Sequence, residues 1–246
     1  MKLNTPLKGS RKGDNGRLLV IGGSRDYHGA PVFSLLAARR FVDLLYFLPA
    51  ESDPFLLGAV KQIPEAIVVD RIDSPAIRKL DCVLFGIGLS DAGFDLKSLR
   101  GLDARLVIDG DGLKRVKRDI PAGAILTPHE NEFRMLFGVE GDKANVREMA
   151  GRAGCVILKK GPVDIISDGE RTIINKTHNQ GMTKGGTGDV LSGLVAALAC
   201  KNDPFVAAAE GARINGIAGD MLLKGYGFNF CASDLADMLP KAAARS

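Results

Sequence analysis

The stretch GMTKGGTGD, which ends at Asp189, has the composition of an anion-binding loop. Its four glycines free the backbone to point several N–H groups at one place. Apolar residues then recur at helical spacing: Val190, Leu191, Leu194, Val195 and Leu198. Because a helix N-terminus carries partial positive charge, the stretch predicts an anion site at the start of a helix.

Asp189 has two interpretations from its neighbours alone. An acidic residue in the first turn of a helix is favoured by the helix dipole, which explains many such residues. Alternatively, the Asp189 carboxylate faces a hydroxyl that attacks a bound phosphate and accepts its proton as a general base. The stretch by itself leaves the two interpretations about even.

Common nucleotide motifs and other function classes fit poorly. GGSRDYHG is not G-x-G-x-x-G, and G-x-x-x-x-G-K-[ST] is absent from the sequence, which disfavours a Rossmann dehydrogenase and a P-loop enzyme. The net charge of +4 is spread along 246 residues, which favours small anionic ligands over nucleic acid. No apolar run is long enough to cross a bilayer, and no signal-peptide core is present, so a cytoplasmic protein is expected.

The elements around the stretch predict a mostly parallel α/β sheet flanked by helices. Short apolar runs alternate with helical patterns, and several end at polar or glycine-rich residues: Gly22, Gly88, Asp109 and Thr127. Ligands bind at such carboxyl ends in open α/β sheets. Three later runs, CVILKKG, VDIISDG and RTIINK, predict an antiparallel meander near the C-terminal part. Helices are expected over about 186–200, 204–224 and 233–244, and residues 1–246 are expected to form one domain.

The four cysteines, Cys82, Cys155, Cys200 and Cys231, are far apart in the sequence. No pair has metal-ligand or C-x-x-C spacing, so buried free thiols are expected.

Six motifs in one order resemble the NAD(P)H-hydrate dehydratase family, which has a ribokinase-like fold. They are KGDNGRLLVIGGSRDYHGAP, FGIGLS, LVIDGDGL, LTPHENEF, LKKGPVDIISDG and GMTKGGTGDVLSGLVAALA. The resemblance extends from about Lys12 to the helix that contains INGIAGD. It implies that the chain repairs NADH or NADPH whose nicotinamide ring has gained water: ADP or ATP, with Mg²⁺, phosphorylates the ring hydroxyl, and phosphate then leaves.

The resemblance also assigns residues. It implies that Asp189 is the catalytic base and contacts the substrate. The expected anion hole is Gly185, Gly186, Thr187 and Gly188. The expected nucleotide contacts are Lys160, Gly161, Pro162, Val163, Asp164 and Gly188. The expected substrate contacts are Ala30, Gly88 and His129. Asp109 and Glu132 are expected near Mg²⁺, through water, with Asn131 in the same loop.

Each assignment has a structural alternative. His129 could cap or pack against the helix that follows it, and Asp109 could be a turn residue. Gly88 could be a simple turn at the end of a strand. The shared position of these residues at strand ends, together with the motif order, favours the functional interpretation.

The chain departs from the family pattern in the loop before Asp189. Gln180, Thr183 and Lys184 stand where Pro, Ala and Thr are usual, and Lys184 could be a solvated charge or an extra contact to the donor phosphate. Ile87 and Ser90 replace the usual Pro and Gly. Many relatives carry an N-terminal epimerase domain, and here that activity is expected to come from elsewhere. Relatives are commonly tetramers, so a homo-oligomer is plausible.

Two alternative functions remain open from the sequence. A kinase of a hydroxyethylthiazole or hydroxymethylpyrimidine would use the same base and anion hole. A relative that binds nucleotide without turnover would keep the fold but would not need Asp189.

Overall fold

The computed structural model describes residues 1–77, 79–94, 96–99 and 101–245. Within these ranges, one nine-stranded sheet has the order β3-β2-β1-β4-β5-β6-β7-β8-β9. The strands are β1 (Arg17–Gly22), β2 (Leu44–Pro49), β3 (Ala66–Val68), β4 (Cys82–Ile87), β5 (Arg105–Ile108), β6 (Ile125–Leu126), β7 (Val156–Lys159), β8 (Asp164–Ser167) and β9 (Thr172–Asn175). The seven strands β1 to β7 pair in parallel, and β7, β8 and β9 pair antiparallel. The predicted parallel sheet and its meander are therefore both confirmed.

Helices cover both faces of the sheet. They are α1 (Gly29–Ala38), α2 (Pro54–Val60), α3 (Asp111–Val116), α4 (Glu130–Phe137), α5 (Lys143–Ala153), α6 (Thr187–Ala199), α7 (Pro204–Tyr226) and α8 (Ala232–Ala243), with short 3₁₀ turns at Pro75–Ile77, Leu96–Leu99 and Gln180–Thr183. Among the described residues, none of the helices is both long and apolar enough to span a bilayer.

Strand β1 shows why the chain forms two cores. Successive side chains of a strand point to opposite faces, so Leu18 and Val20 join the core with α1, α2, α6, α7 and α8. Leu19 and Ile21 join the core on the other face, with α3, α4 and α5. A strand buried on both faces needs a continuous apolar run, and RLLVIG supplies it.

The topology creates a crevice beside β1. The chain leaves β1 for β2 on one side, and later strands continue from β4 on the other. Connections that diverge in this way leave a crevice at the carboxyl ends of the two strands, where ligands bind in open α/β sheets. The loops after β1, β4, β5, β6 and β7 all lie at this edge of the sheet.

Helix α6 is buried almost all round, not on one face only. Its apolar residues contact the sheet, while Gly193 lies so close to α1 that a Cβ there would be 2.4 Å from the backbone oxygen of Ser34. The small residues of LSGLVAALA thus permit close packing of α6 against α1.

The prediction of buried thiols is right for three cysteines and wrong for the fourth. Cys82, Cys155 and Cys200 are buried and free, whereas Cys231 is exposed and free. Cys231 is the N-cap of α8, where its backbone N–H binds the Asp234 carboxylate at 2.8 Å. A helix start at the surface therefore exposes it.

Candidate active site

Asp189 is the third residue of α6, directly after a loop that turns through Gly186. Gly186 has φ +91° and is the N-cap, and a Cβ there would lie 2.5 Å from the Phe33 ring. The start of the helix is tied to α1, because the Ser34 hydroxyl donates to the Asp189 carbonyl at 2.8 Å. The base predicted from the sequence is thus placed at the carboxyl edge of the sheet by α1 and α6 together.

Asp234 provides an internal comparison, because it is the third residue of α8. Its carboxylate accepts the N-cap N–H of Cys231, and that bond lowers the pKa of Asp234. Burial and, after it, the Asp109 charge raise the pKa of Asp189 against the opposing Lys160 ammonium, to about 7. Asp189 therefore differs from an ordinary first-turn acid, and its pKa lies where a general base is effective.

The loop before Asp189 presents unpaired backbone donors. The Lys184 carbonyl accepts from the Thr187 hydroxyl at 2.8 Å and from the Thr187 N–H at 3.3 Å, which closes a tight turn. Among the hydrogen bonds formed by described residues, none uses the backbone N–H of Gly185, Gly186 or Gly188. A Cβ on Gly185 would meet nothing within 4 Å, so the space beside the loop is open to an anion.

Lys160 connects the ends of two strands through an ion pair. It follows β7, its N–H donates to the Pro128 carbonyl at 2.8 Å, and its ammonium lies 2.7 Å from the Asp109 carboxylate at the end of β5. Burial would lower the pKa of Lys160, but the charges of Asp109 and Glu132 outweigh it and raise the pKa. Lys160 is therefore a cation held among carboxylates, and a Cβ on Gly188 would lie 3.7 Å from its Nζ.

His129 and Glu132 form the capping box of α4. The His129 Nδ1 accepts the N–H of Asn131 at 3.1 Å and that of Glu132 at 3.3 Å, and the Glu132 carboxylate accepts the His129 N–H at 2.8 Å. The capping role weighed for His129 is thus present in the structure. Its ring also lines a cavity beside Gly188, so capping and a ligand contact are compatible.

Asp109 and Glu132 keep oxygens that could face a hydrated cation. One oxygen of Asp109 accepts from Lys160 and from the Gly110 N–H at 2.9 Å, and no hydrogen bond formed within the described residues uses its other oxygen. Burial raises the pKa of Glu132, and the Asp109 charge adds to this against the opposing Lys160 ammonium. Two carboxylates that repel each other suit Mg²⁺ held partly through water. Across the described ranges, no cluster of three or more His, Cys, Asp or Glu residues forms a closed metal site.

Ala30 and Gly88 meet at the crevice between β1 and β4. Gly88 has φ +60°, and a Cβ there would lie 2.9 Å from the Ala30 Cβ and 2.8 Å from the Tyr27 carbonyl. Only glycine fits so close to the start of α1. Two substrate contacts predicted from separate motifs are therefore neighbours in space.

A cavity of about 260 Å³ is lined by most of the predicted nucleotide contacts. The predicted residues that line it are Lys160, Gly161, Pro162, Asp164, Thr187 and Gly188, together with His129. Asp164 itself holds the turn, because its oxygens accept from the Gly161 N–H at 3.1 Å and the Asn175 amide at 3.0 Å. Val163 is not among the lining residues and is 40% exposed.

Sequence reasoning missed the far wall of this cavity. It is formed by Ala212, Asn215 and Gly216 of α7, by Leu191 of α6, and by residues of the loop after β9: Thr177, His178, Met182 and Thr183. The small residues of ARINGIAG were the available signal, since they let α7 approach: a Cβ on Gly216 would lie 2.0 Å from the Thr177 carbonyl.

A larger cavity, about 780 Å³, lies at the opposite edge of the sheet, near the amino ends of β4 and β5. Two of the charged groups that line it are already paired: the Asp81 carboxylate with Lys201 at 2.8 Å, and the Arg115 guanidinium with the Ala92 carbonyl at 2.9 Å. The edge that holds Asp189 is the better candidate, since the backbone N–H groups of Gly185, Gly186 and Gly188 enter none of the hydrogen bonds formed by the described residues.

Comparison with known proteins finds matches over most of the chain. Residues 18–241 match the family model for NAD(P)H-hydrate dehydratase. The chain is 39% identical to the ADP-dependent (S)-NAD(P)H-hydrate dehydratase of Cenarchaeum symbiosum, over 94% of this chain and 89% of that protein. It is 42% identical to a bifunctional NAD(P)H-hydrate repair enzyme of Pyrobaculum aerophilum, over 96% of this chain, and spans about half (52%) of that longer relative. A solved ADP/ATP-dependent NAD(P)H-hydrate dehydratase of Bacillus subtilis, co-crystallised with ATP and Mg²⁺, superposes with a TM-score of 0.84 at 25% identity, over 99% of this chain and 94% of that one.

Proposed function

The chain belongs to the NAD(P)H-hydrate dehydratase family, and we propose that it dehydrates hydrated NADH or NADPH with ADP or ATP as phosphoryl donor. A relative named ADP-dependent and S-specific supports ADP and the S epimer as the preferred pair. The Bacillus subtilis structure with ATP and Mg²⁺ supports a nucleotide site in this fold.

One observation carries the proposal. A half-buried carboxylate whose pKa is about 7 adjoins a loop at the start of a buried helix, and the loop N–H groups of Gly185, Gly186 and Gly188 enter no hydrogen bond among the described residues. A base next to an anion site suits the transfer of a phosphoryl group to a hydroxyl, because the base serves the attacking oxygen and the N–H groups serve the phosphate.

In the proposed first step, the Asp189 carboxylate accepts the proton of the ring hydroxyl as its oxygen bonds to the terminal phosphorus. The bond from that phosphorus to the bridging oxygen of the donor breaks, and AMP leaves when ADP is used. The N–H groups of Gly185, Gly186 and Gly188 stabilise charge on the transferring oxygens.

In the second step, the carbon–oxygen bond of the phosphorylated ring breaks, and phosphate departs with the electron pair. The ring nitrogen supplies electrons to that carbon, the adjacent carbon loses a proton, and the double bond returns. Because phosphate leaves far more readily than hydroxide, the protein mainly positions the reactants and excludes water.

Three charged side chains support the nucleotide in this proposal. The Lys160 ammonium attracts phosphate oxygens from its place beside Asp109. Asp109 and Glu132 would hold Mg²⁺ through water, and the ion would neutralise phosphate charge. We place the base and ribose in the cavity bounded by Gly161, Pro162 and α7.

The direct test is recovery of NADH absorbance from hydrated NADH in the presence of Mg²⁺ and either ADP or ATP. We expect recovery with release of AMP and phosphate in equal amounts when ADP is supplied. A stable phosphorylated product from a thiazole or pyrimidine alcohol, without NADH recovery, would instead identify a kinase. Nucleotide binding without either product would identify a relative that has lost turnover.

A further inference from the structure

Lys184 binds the segment that joins α7 to α8. Its ammonium donates to the carbonyls of Phe228 and Phe230, both at 2.6 Å, and lies 5.5 Å from the centre of the Phe230 ring. These carbonyls follow the last residues of α7 and lie outside any helix. Although the Lys184 side chain is exposed, two of its three N–H donors are therefore committed to the protein. This geometry differs from both roles considered for Lys184 from the sequence, a solvated charge and a ligand of the donor phosphate.

The same segment supports the anion-hole loop at two further points. A Cβ on Gly181 would lie 2.5 Å from the Phe230 ring, and one on Gly186 would lie 2.9 Å from the Cβ of Ala232. Lys184 lies between these two glycines. The loop therefore contacts the 228–232 segment at three points, of which Lys184 provides the polar one.

The backbone of Lys184 closes the turn that exposes the anion-hole donors. Its carbonyl accepts both the N–H and the hydroxyl of Thr187, so the peptide that follows Lys184 has a fixed orientation. The N–H groups of Gly185 and Gly186 belong to this turn, and glycine offers little resistance to rotation of its backbone. The Lys184 side chain is held by the Phe228 and Phe230 carbonyls. It therefore restrains a loop whose glycines would otherwise leave the backbone free to rotate.

We propose that Lys184 is a positioning residue that holds the 185–188 backbone N–H groups aimed at the transferring phosphate. This proposal rests on the proposed function, because it names which residue orders the anion hole for phosphoryl transfer. Preorganised donors stabilise a transition state without reorganisation during the reaction, and displacement by about 1 Å can cost about a hundredfold in rate. Lys184 therefore acts on the chemical step through the backbone.

The kinetic test compares Lys184→Met with Lys184→Arg. The methionine is an unbranched side chain one atom shorter than lysine and removes the donors, whereas arginine keeps donors that can reach carbonyls. We expect Lys184→Met to lower kcat about tenfold or more, with the KM values for ADP and hydrated NADH within about twofold of wild type. Arginine should restore most of the lost kcat. Lys241→Met is the matched control, since it removes one exposed lysine from the far end of α8 and should leave both constants unchanged.

A second measurement does not need turnover. In the ligand-free protein, amide hydrogen exchange over residues 181–188 should be about tenfold faster in Lys184→Met than in wild type or Lys241→Met. If the kcat of Lys184→Met equals that of the wild-type protein, the proposal is overturned, even if amide exchange is faster. A raised KM for ADP with unchanged kcat also overturns it, because it indicates a direct contact with the donor. If the wild-type protein restores no NADH, the proposed function fails, and unchanged exchange would then show separately that Lys184 does not order the loop.

Discussion

Substitution of Asp189 by Asn should make the protein more stable at alkaline pH while it removes turnover. The carboxylate has a pKa of about 7 in the folded protein, against an ordinary value of 3.8. The difference is about three pKa units, and each unit corresponds to roughly 1.4 kcal/mol. The folded protein therefore bears a cost of about 4 kcal/mol to hold Asp189 ionised, and the neutral amide of Asn does not.

The direction of this pH dependence follows from whether the folded or the unfolded state binds the Asp189 proton more tightly. Below pH 4 Asp189 is protonated in both the folded and unfolded states, so the substitution changes little through this group. Between pH 4 and 7 only the unfolded state ionises, and wild-type stability falls as the pH rises. The advantage of Asp189→Asn should thus be about 1.5 kcal/mol at pH 5 and about 4 kcal/mol at pH 8.

Urea unfolding of both proteins at pH 5 and pH 8 measures this difference directly. Asp234→Asn is the matched control, because Asp234 occupies the same position of α8 and its pKa is lowered by its bond to the Cys231 N–H. Its ionised form stabilises the fold above the unfolded pKa, so the control should lose about 1 kcal/mol at pH 8. Turnover of Asp189→Asn should fall roughly a hundredfold or more. If Asp189→Asn is no more stable than wild type at pH 8, the site does not disfavour the ionised carboxylate and our explanation of its pKa is wrong.

Three further predictions concern the same site. The kcat/KM for hydrated NADH should fall about tenfold for each pH unit below about 7, because Asp189 must be ionised to accept a proton; a flat profile from pH 5.5 to 7 would contradict this. Lys160→Met should move the fall in kcat/KM to higher pH, since the Lys160 ammonium lowers the pKa of Asp189. The same variant should lower the Tm, because Asp109 is left buried without its 2.7 Å partner. Gly186→Ala should destabilise the protein by about 1–3 kcal/mol, because φ is +91° and the new Cβ would lie 2.5 Å from an aromatic ring of α1. In Gly185→Ala the new Cβ meets open space, so this variant should leave the Tm nearly unchanged. Equal Tm values for the two variants would refute this.

Local sequence determined the elements and the order in which they occur. Apolar runs such as RLLVIG became strands, turn residues after 160 and 168 set the antiparallel meander, and the apolar pattern after Asp189 became α6. These features depend on neighbours along the chain, which the sequence displays directly. The family was also readable, because six motifs in one order specify it far better than the GTGD motif alone. A single domain, a homo-oligomer and a cytoplasmic location stay predictions.

The chemistry of Asp189 was decided by the tertiary structure. From the sequence Asp189 could have resembled Asp234, since both are third residues of helices. Burial of the carboxyl group and the Asp109 charge raise the pKa of Asp189, whereas a bond to the Cys231 N–H lowers that of Asp234. The Lys160–Asp109 ion pair joins residues 51 positions apart, and it exists because β5, β6 and β7 lie side by side. Lys184 likewise binds carbonyls 44 and 46 positions away. Residue type and spacing could therefore place an acid, a cation and a loop in order along the chain. The burial of Asp189 and the charges beside it arise from strand order and helix packing, because these bring distant residues within a few ångströms.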